Sequence, residues 1–571
     1  MLILIFEKIL KTALYACVRG FFDIKRLALP ENGSPFRTLQ ARKQTDAMKR
    51  WMVWLLPLLA ASCTDRGLDP SGESLDAEGT RVEHGMIVLG RQLEDPYNVE
   101  NMSRALESLY PTKAGRVVLS PTDLYVRFLP ADERQFELLE SRGLQLLDHP
   151  VDFEIVREGD YYHDPALAED RITWQYAVVP RDFIFPEGIP HEILDECYIP
   201  TEGTKADGVD WDAVESEAYR LTGNAALLED AAGTKAGASS GKPTGRISIV
   251  DAALGTGPEG VRGVQVSCNS FVKFAHAYTD AEGRYEMNRS FSSRPRYRLV
   301  FKNSAGFSLG FNLLLVPASV STLGRHDPTG TDLEVTQDSD RRLFSRCVVS
   351  NAGYDYYKCC RSAEPAVKTP PANLRIWLFQ GLSCSSTVMM QQGVLIDGSK
   401  LADLLGDYVA LVKVFLPDIT LGLKGSATYG EIYAQAVHEL AHASHFMLAG
   451  REYWDHYARF VITSFVTSGF VTYGVGTEED HGYCEVGEIW SYFLEALAWR
   501  ERYGETGAVF GLNYWFHPQI FLQLEERGLS GNKLFQVLTG DITDREMLRK
   551  KLISFYPEYK SVINQVFARY N

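Results

Sequence analysis

The sequence predicts a multidomain α+β protein, and three observations carry that reading. Its 571 residues exceed what one hydrophobic core organises, since domains run at about 100–200 residues. A Gly/Ala/Ser-rich stretch at 232–241 divides the chain, with a composition that builds no core. Period-two alternation marks 244–320, whereas the patterns beyond 336 are predominantly helical. Composition agrees: 45% hydrophobic and 23% charged residues exclude wholesale disorder and coiled-coil arrays. A formal net charge of −16 excludes a nucleic-acid partner held by a basic surface. Nine cysteines are too few for a disulfide scaffold of this length.

Residues 1–62 do not read as a folded domain. Met1 to Val18 is a short apolar run interrupted by Glu7, Lys8 and Lys11, and 21–47 carry scattered charges. Met48-Lys49-Arg50 then opens a new pattern. A positive start precedes the apolar run Trp51 to Ala60 and the small residues Ala61-Ser62, ahead of Cys63. Leu59-Ala60-Ala61-Ser62-Cys63 resembles the lipobox of bacterial lipoproteins. That resemblance implies cleavage before Cys63, lipidation of Cys63 and a membrane attachment through lipid. On this reading 1–47 is an extension ahead of the biological start, 48–62 the signal peptide and 63–85 a polar tether. Thr64 follows Cys63 in place of an Asp, which implies outer-membrane placement in the cell envelope. Such a compartment permits disulfides, and Cys347, Cys359, Cys360 and Cys384 are close enough in sequence to predict a local bridge.

Residues 86–200 mix both signals and predict a small α/β unit. Strands are expected at Val117 to Ser120, Leu124 to Leu129 and Trp174 to Val179, with a helix at Ala131 to Arg142. Residues 201–243 read as a linker with one short helix, Asp210 to Leu221. Residues 244–335 read as all-β. Gly245 to Asp251, Gly263 to Cys268 and Arg296 to Phe301 alternate, and Thr279 to Tyr285 sets an acidic-Gly turn between strands. Gly245, the Gly-Val-x-Val of 263–266 and the Thr-Asp-x-x-Gly-x-Tyr of 279–285 resemble the carboxypeptidase regulatory-like domain. That resemblance implies a prealbumin-like β-sandwich acting as spacer or binding module.

The chemistry is expected at His438. Thr428-x-x-Glu431 has the form of a capping box, and Gly450 stands where a helix would end, so a helix is predicted over 428–449. It carries His438-Glu439-Leu440-Ala441-His442. Histidines at i and i+4 lie one turn apart on one face, within reach of a single Zn²⁺. Glu439 lies beside that face, where it can take a proton from water. His445 shares the face but sits about 4.5 Å further along the helix than His442, so it is expected to line or support the site.

This pattern resembles the zincin metallopeptidases. No Gly follows in metzincin register, so the third ligand is sought downstream. Glu488, Ser491 and Glu495 match the Glu-x-x-small-x-x-x-Glu spacing of gluzincins, which implies Glu488 as third ligand and Glu495 as a support for a His ring. Glu485, Asp480 and His481 remain alternatives. The order of the zincin fold also implies an edge strand ahead of the helix, matched here by Tyr408 to Leu416. Tyr433, Tyr473, Tyr483, Tyr492 and His517 are candidates to stabilise an oxyanion. Helices at Pro518 to Arg527, Ser530 to Thr539 and Asp544 to Tyr556 complete a mainly helical zincin-like domain over 336–571. The architecture as a whole resembles lipoproteins of Bacteroides-type bacteria. The expected function is a lipid-anchored zinc metallopeptidase acting on a peptide or protein substrate, the alternative an inactive zincin-like binding lipoprotein.

Overall fold

The computed structural model describes residues 86–571 apart from 115–116, 160, 169–170, 202–207, 229–240, 311–317, 363–366, 381–384, 395–416, 468–472, 505–513 and 571. The signal, Cys63, the tether, most of the Gly/Ala/Ser stretch, Cys384 and the strand expected at 408–416 lie outside the described residues. What is described is a mixed α and β chain with several sheets.

In the first region, β1 (Val88–Gln92) pairs antiparallel with β3 (Phe153–Arg157). β2 (Asp123–Phe128) is the centre of an antiparallel sheet between β4 (Gln175–Pro180) and β5 (His191–Cys197). Its alternation buries both faces. Leu124, Val126 and Phe128 join one apolar cluster, and Tyr125 joins another. Val117 to Ser120, expected as a strand, is irregular. The helices are α1 (Val99–Leu109), α2 (Pro111–Ala114), α3 (Glu133–Ser141) and α4 (Trp211–Leu221). α4 is the short helix expected within the linker. It buries Val214, Ala218 and Tyr219 against Met102, Ala105 and Leu106 of α1, and Phe271 and Val272 of the next region join the same cluster.

The next region holds β6 (Thr244–Ile249), β7 (Glu259–Gly260), β8 (Gln265–Ser270), β9 (Lys273–Tyr278), β10 (Arg284–Glu286) and β11 (Arg296–Val300). β12 (Lys302–Asn303), β13 (Phe307–Leu309), β14 (Val320–Arg325) and β15 (Leu333–Val335) follow. One sheet runs β10-β6-β15 with β7 on β6, and another runs β14-β11-β8-β9. Ile247 and Ile249 from the first share one core with Val266, Cys268, Tyr297 and Leu299 from the second. The acidic-Gly turn forms as its residues dictate. Gly283 has φ +78°, and a Cβ there would meet the Ile247 carbonyl at 2.1 Å. A buried ion pair links this region to α4: Lys273 Nζ donates to Glu215 at 2.7 and 3.0 Å.

The last region combines a sheet with helices. β16 (Leu374–Gln380), β17 (Ser386–Thr387) and β18 (Ile419–Leu423) join β12 and β13 in the order β12-β13-β16-β18-β17. β13, β16 and β18 are parallel neighbours, and β17 runs antiparallel to β18. The sheet thus takes strands from both sides of residue 336. Its helices are α5 (Arg341–Ser362), α6 (Tyr429–Ala449), α7 (Arg451–Thr467), α8 (His481–Tyr503), α9 (Gln519–Glu525), α10 (Gly531–Gln536), α11 (Arg545–Phe555) and α12 (Lys560–Phe567). The end of α8 docks on the preceding sheets: Arg502 Nε donates to Asp251 at 2.9 Å, and Tyr503 OH donates to the same carboxylate at 2.7 Å.

The expected local disulfide does not form among the described cysteines. No disulfide joins Cys347, Cys359 and Cys360 to one another. All three lie on α5, where a rise of 1.5 Å per residue holds Cys347 about 18 Å from the other two. A disulfide requires Cα atoms less than about 7 Å apart.

Candidate metal centre

α6 begins as the sequence dictates. Thr428 Oγ1 accepts from the Glu431 amide at 3.3 Å, and Glu431 Oε2 accepts from the Thr428 amide at 2.8 Å. Gly450 ends the helix with φ +85°, its amide donating to Phe446 at 2.9 Å. Between these caps the helix is buried on all sides, as a helix apolar around its circumference must be. Ile432, Leu440 and Ala443 are wholly shielded, and burying an Ile or Leu contributes about 1.5–3 kcal/mol. α8 packs alongside, tied by Trp490 Nε1 donating to the Ala441 carbonyl at 3.1 Å. Gly487 permits the approach: a Cβ there would sit 3.1 Å from the Tyr457 ring and 3.8 Å from His442.

This packing brings His438, His442 and Glu488 together. One ligand atom from each lies within 4.8 Å of the others, and all three side chains are buried. His438 Nε2 is 3.4 Å from Glu488 Oε2, and His442 Nε2 is 3.3 Å from Glu488 Oε1. Glu495, about two turns beyond Glu488 on α8, meets His438 Nδ1 at 3.0 Å. That contact fixes the ring and turns Nε2 toward Glu488. His438 Nε2, His442 Nδ1 and Glu439 Oε1 are buried with no hydrogen-bond partner. Buried polar atoms are ordinarily satisfied, so their concentration here is a signal.

The electrostatics follow from burial and charge. Burial alone would raise Glu488, but the imidazoles of His442 and His438 outweigh it and hold the carboxyl well below the usual carboxylate range. Burial opposes the charged form of His438 too, yet the carboxylates of Glu488 and Glu495 leave it raised to about 10. Burial lowers His442 and so favours the neutral imidazole that binds metal. Burial lifts Glu439 to about 8, in spite of His438 and Thr387 nearby.

The other sequence candidates are placed elsewhere or beside the site. Glu485 pairs with Arg545 at 3.3 Å, Asp480 pairs with His456 at 3.0 Å, and His481 Nδ1 lies 2.7 Å from the Glu478 carbonyl. His445 is buried against Tyr453 and Trp454, with ring centroids 4.8 and 6.0 Å away, and burial lowers it to about 3. Of the oxyanion candidates, Tyr473 donates to Glu488 at 3.3 Å and Tyr492 sets its ring 4.5 Å from that of His438. Tyr433 donates to Asp355 at 3.0 Å, Tyr483 stacks on His456 at 4.6 Å, and His517 lies against Tyr570 at 4.9 Å.

Two contributors escaped sequence reasoning. Tyr457 of α7 donates to Glu488 Oε1 at 2.6 Å. Its trace in the sequence is the Tyr453-Trp454-x-x-Tyr457 stripe directly after Gly450. Thr387 of β17 donates to Glu439 Oε2 at 2.7 Å, and nothing local to residue 387 announces it. The donor set is two imidazoles and a carboxylate, with the Nε2 atoms of His438 and His442 both facing Glu488, and it fits a borderline cation such as zinc. No family model, curated protein or solved structure matches this chain.

Proposed function

We propose that this chain is a zinc metallopeptidase in which His438, His442 and Glu488 hold the metal and Glu439 is general base and then general acid. One observation carries the reading: two imidazoles and a carboxylate from α6 and α8 converge beside a glutamate whose Oε1 has no partner. The chemistry that a bound zinc supplies is Lewis acidity toward a carbonyl and a water. Everything else is work for the chain. Glu495 holds the His438 ring through Nδ1. Tyr457 and Tyr473 each donate to a different oxygen of Glu488 and fix the plane of its carboxylate. Thr387 occupies Glu439 Oε2, leaving Oε1 to take a proton from water and return it to the departing amine. Among the described residues β17 is the terminal strand of its sheet, and Thr387 lies on it. An extended peptide added at that edge would run past the base.

The lipobox supports a place in the cell envelope with lipid on Cys63. Among the described residues no helix is long and apolar enough to cross a membrane. The alternative, a binding lipoprotein without hydrolysis, draws on one fact: Glu439 is wholly shielded from solvent, and a substrate must reach it.

Elemental analysis and a peptide-library digest test the proposal together. One zinc equivalent is expected to disappear with His438→Ala and with Glu488→Ala. Glu439→Gln is expected to keep that zinc and lower cleavage by about 10²–10⁴-fold. A parent that takes up no zinc at His438 after reconstitution overturns the metal site. Zinc bound with no cleavage of any library peptide leaves the binding reading.

A further inference from the structure

A second convergence of ligand atoms lies far from α6. Asp95 sits in the turn ahead of α1, while Asp195 and Cys197 alternate on β5 and so share a face. The two segments are clamped together. The Tyr198 amide donates to the Tyr97 carbonyl at 2.8 Å, Asn98 bridges to Cys197 through the backbone, and Asn98 Nδ2 donates to Asp195 Oδ1 at 2.7 Å. One ligand atom from each of Asp95, Asp195 and Cys197 lies within 4.8 Å of the others.

Asp95 supplies the independent observation. It is 7% exposed. Its Oδ1 accepts from the Tyr97 amide at 2.9 Å, but its Oδ2 is buried with no partner at all. Among the described residues no Lys, Arg or His pairs with Asp95 or Asp195. Burial, with Asp195 and Asp152 close by, lifts Asp95 to about 8, and burial likewise pushes the Cys197 thiol up. A proton on Asp95 would remove its charge but would leave the Asp195 carboxylate beside it without a counter-charge. A cation satisfies all three groups at once. A cavity of about 610 Å³ is lined by Asp95, Asp195, Glu94 and Asp152, and Arg127 on its wall is paired with Glu192.

We infer that Asp95, Asp195 and Cys197 form a second metal site, for a borderline cation of the zinc class, that staples the turn before α1 to the end of β5. The sulfur decides the class. Calcium and magnesium take oxygen ligands, whereas one thiolate with two carboxylates suits zinc, cobalt or cadmium. Binding releases the thiol proton, and that of Asp95 when present, to water as the Cys197 sulfur–metal bond forms. The cavity side leaves room for a water as a further ligand. The site is independent of the His438 centre and stands or falls without it.

Cobalt tests it on the whole protein. Two equivalents are expected in a chain with both sites filled, with a near-ultraviolet thiolate-to-cobalt charge-transfer band that a His, His and Glu site cannot give. Cys197→Ser is expected to remove the band and one equivalent, while His438→Ala keeps the band. Asp95→Asn retains the thiol and the Tyr97 contact, so it folds where Cys197→Ser fails, and it should weaken the banded site at least about tenfold. A folded, cobalt-saturated parent with no band overturns the inference. So does a band that survives Cys197→Ser, or unchanged affinity in Asp95→Asn.

Discussion

Two buried charged clusters in this molecule are built from similar groups and end in opposite states. Around Glu215, Lys273 Nζ donates twice, Ser292 Oγ donates at 2.8 Å and Tyr97 OH at 3.3 Å. Both Glu215 oxygens are used, the charges cancel, and nothing points to an absent partner. Around Glu488 the charges also approach one another, but His438 Nε2, His442 Nδ1 and Glu439 Oε1 are left with no hydrogen bond. A self-satisfied cluster is structural, because any ligand would have to displace existing bonds. A cluster with buried orphans carries a standing cost that only a further group removes.

That contrast can be broken at several points. The largest effect is expected from Lys273→Met, which leaves Glu215 buried without its counter-charge. Urea unfolding should show a loss of about 3–5 kcal/mol, and the folded fraction should bind zinc at the His438 site as the parent does. A zinc loss there would erase the distinction between the clusters. Next is Tyr457→Phe, which removes the 2.6 Å donation to Glu488. Zinc affinity measured by chelator competition should fall about 10–100-fold with little change in stability.

A smaller effect concerns pH. His438 in the metal-free protein is raised from 6.5 to about 10. Its contribution to stability is therefore fully present below 6.5 and lost as pH rises toward 10. Zinc needs that proton gone, so its affinity should climb about tenfold per pH unit across the same window, and the gap in Tm between loaded and metal-free protein should widen. The smallest effect is expected from Thr387→Val. Burial keeps Glu439 high and the Thr387 hydroxyl restrains it, so removing the hydroxyl should move the acidic limb of kcat/KM upward by less than about one unit. A downward move would mean that the hydroxyl does not serve the ionised form.

What the sequence disclosed was local. The caps of α6 at Thr428, Glu431 and Gly450, the i, i+4 histidines and the alternation of β6, β8 and β11 are written in neighbouring residues. Glu488 and Glu495 were singled out only through the resemblance to the gluzincin spacing. Long-range choices were not legible. Glu485 is as good a ligand as Glu488 on paper, and only Arg545, which claims its carboxylate, separates them. Thr387 reaches Glu439 because β17 pairs with β18 at the base of α6, a consequence of sheet order. α5 was missed because its apolar residues fall around its whole circumference, so it presents no stripe. The same helix then holds Cys347 away from Cys359 and Cys360, which sequence proximity had suggested joining.

α8 has a consequence beyond the residues it carries inward. About 21 Å of helix separates Glu488 from Arg502, at 1.5 Å per residue. At its far end Arg502 and Tyr503 grip Asp251, and Arg502 also reaches Glu259 at 2.5 Å. The helix is thus a lever whose fulcrum belongs to the β-rich half. A fragment cut to begin at residue 336 would lose both carboxylates, along with strands β12 and β13 from the shared sheet. Helix α8 would then be a lever without a bearing, so the smallest transplantable unit of this protein includes the β-rich half.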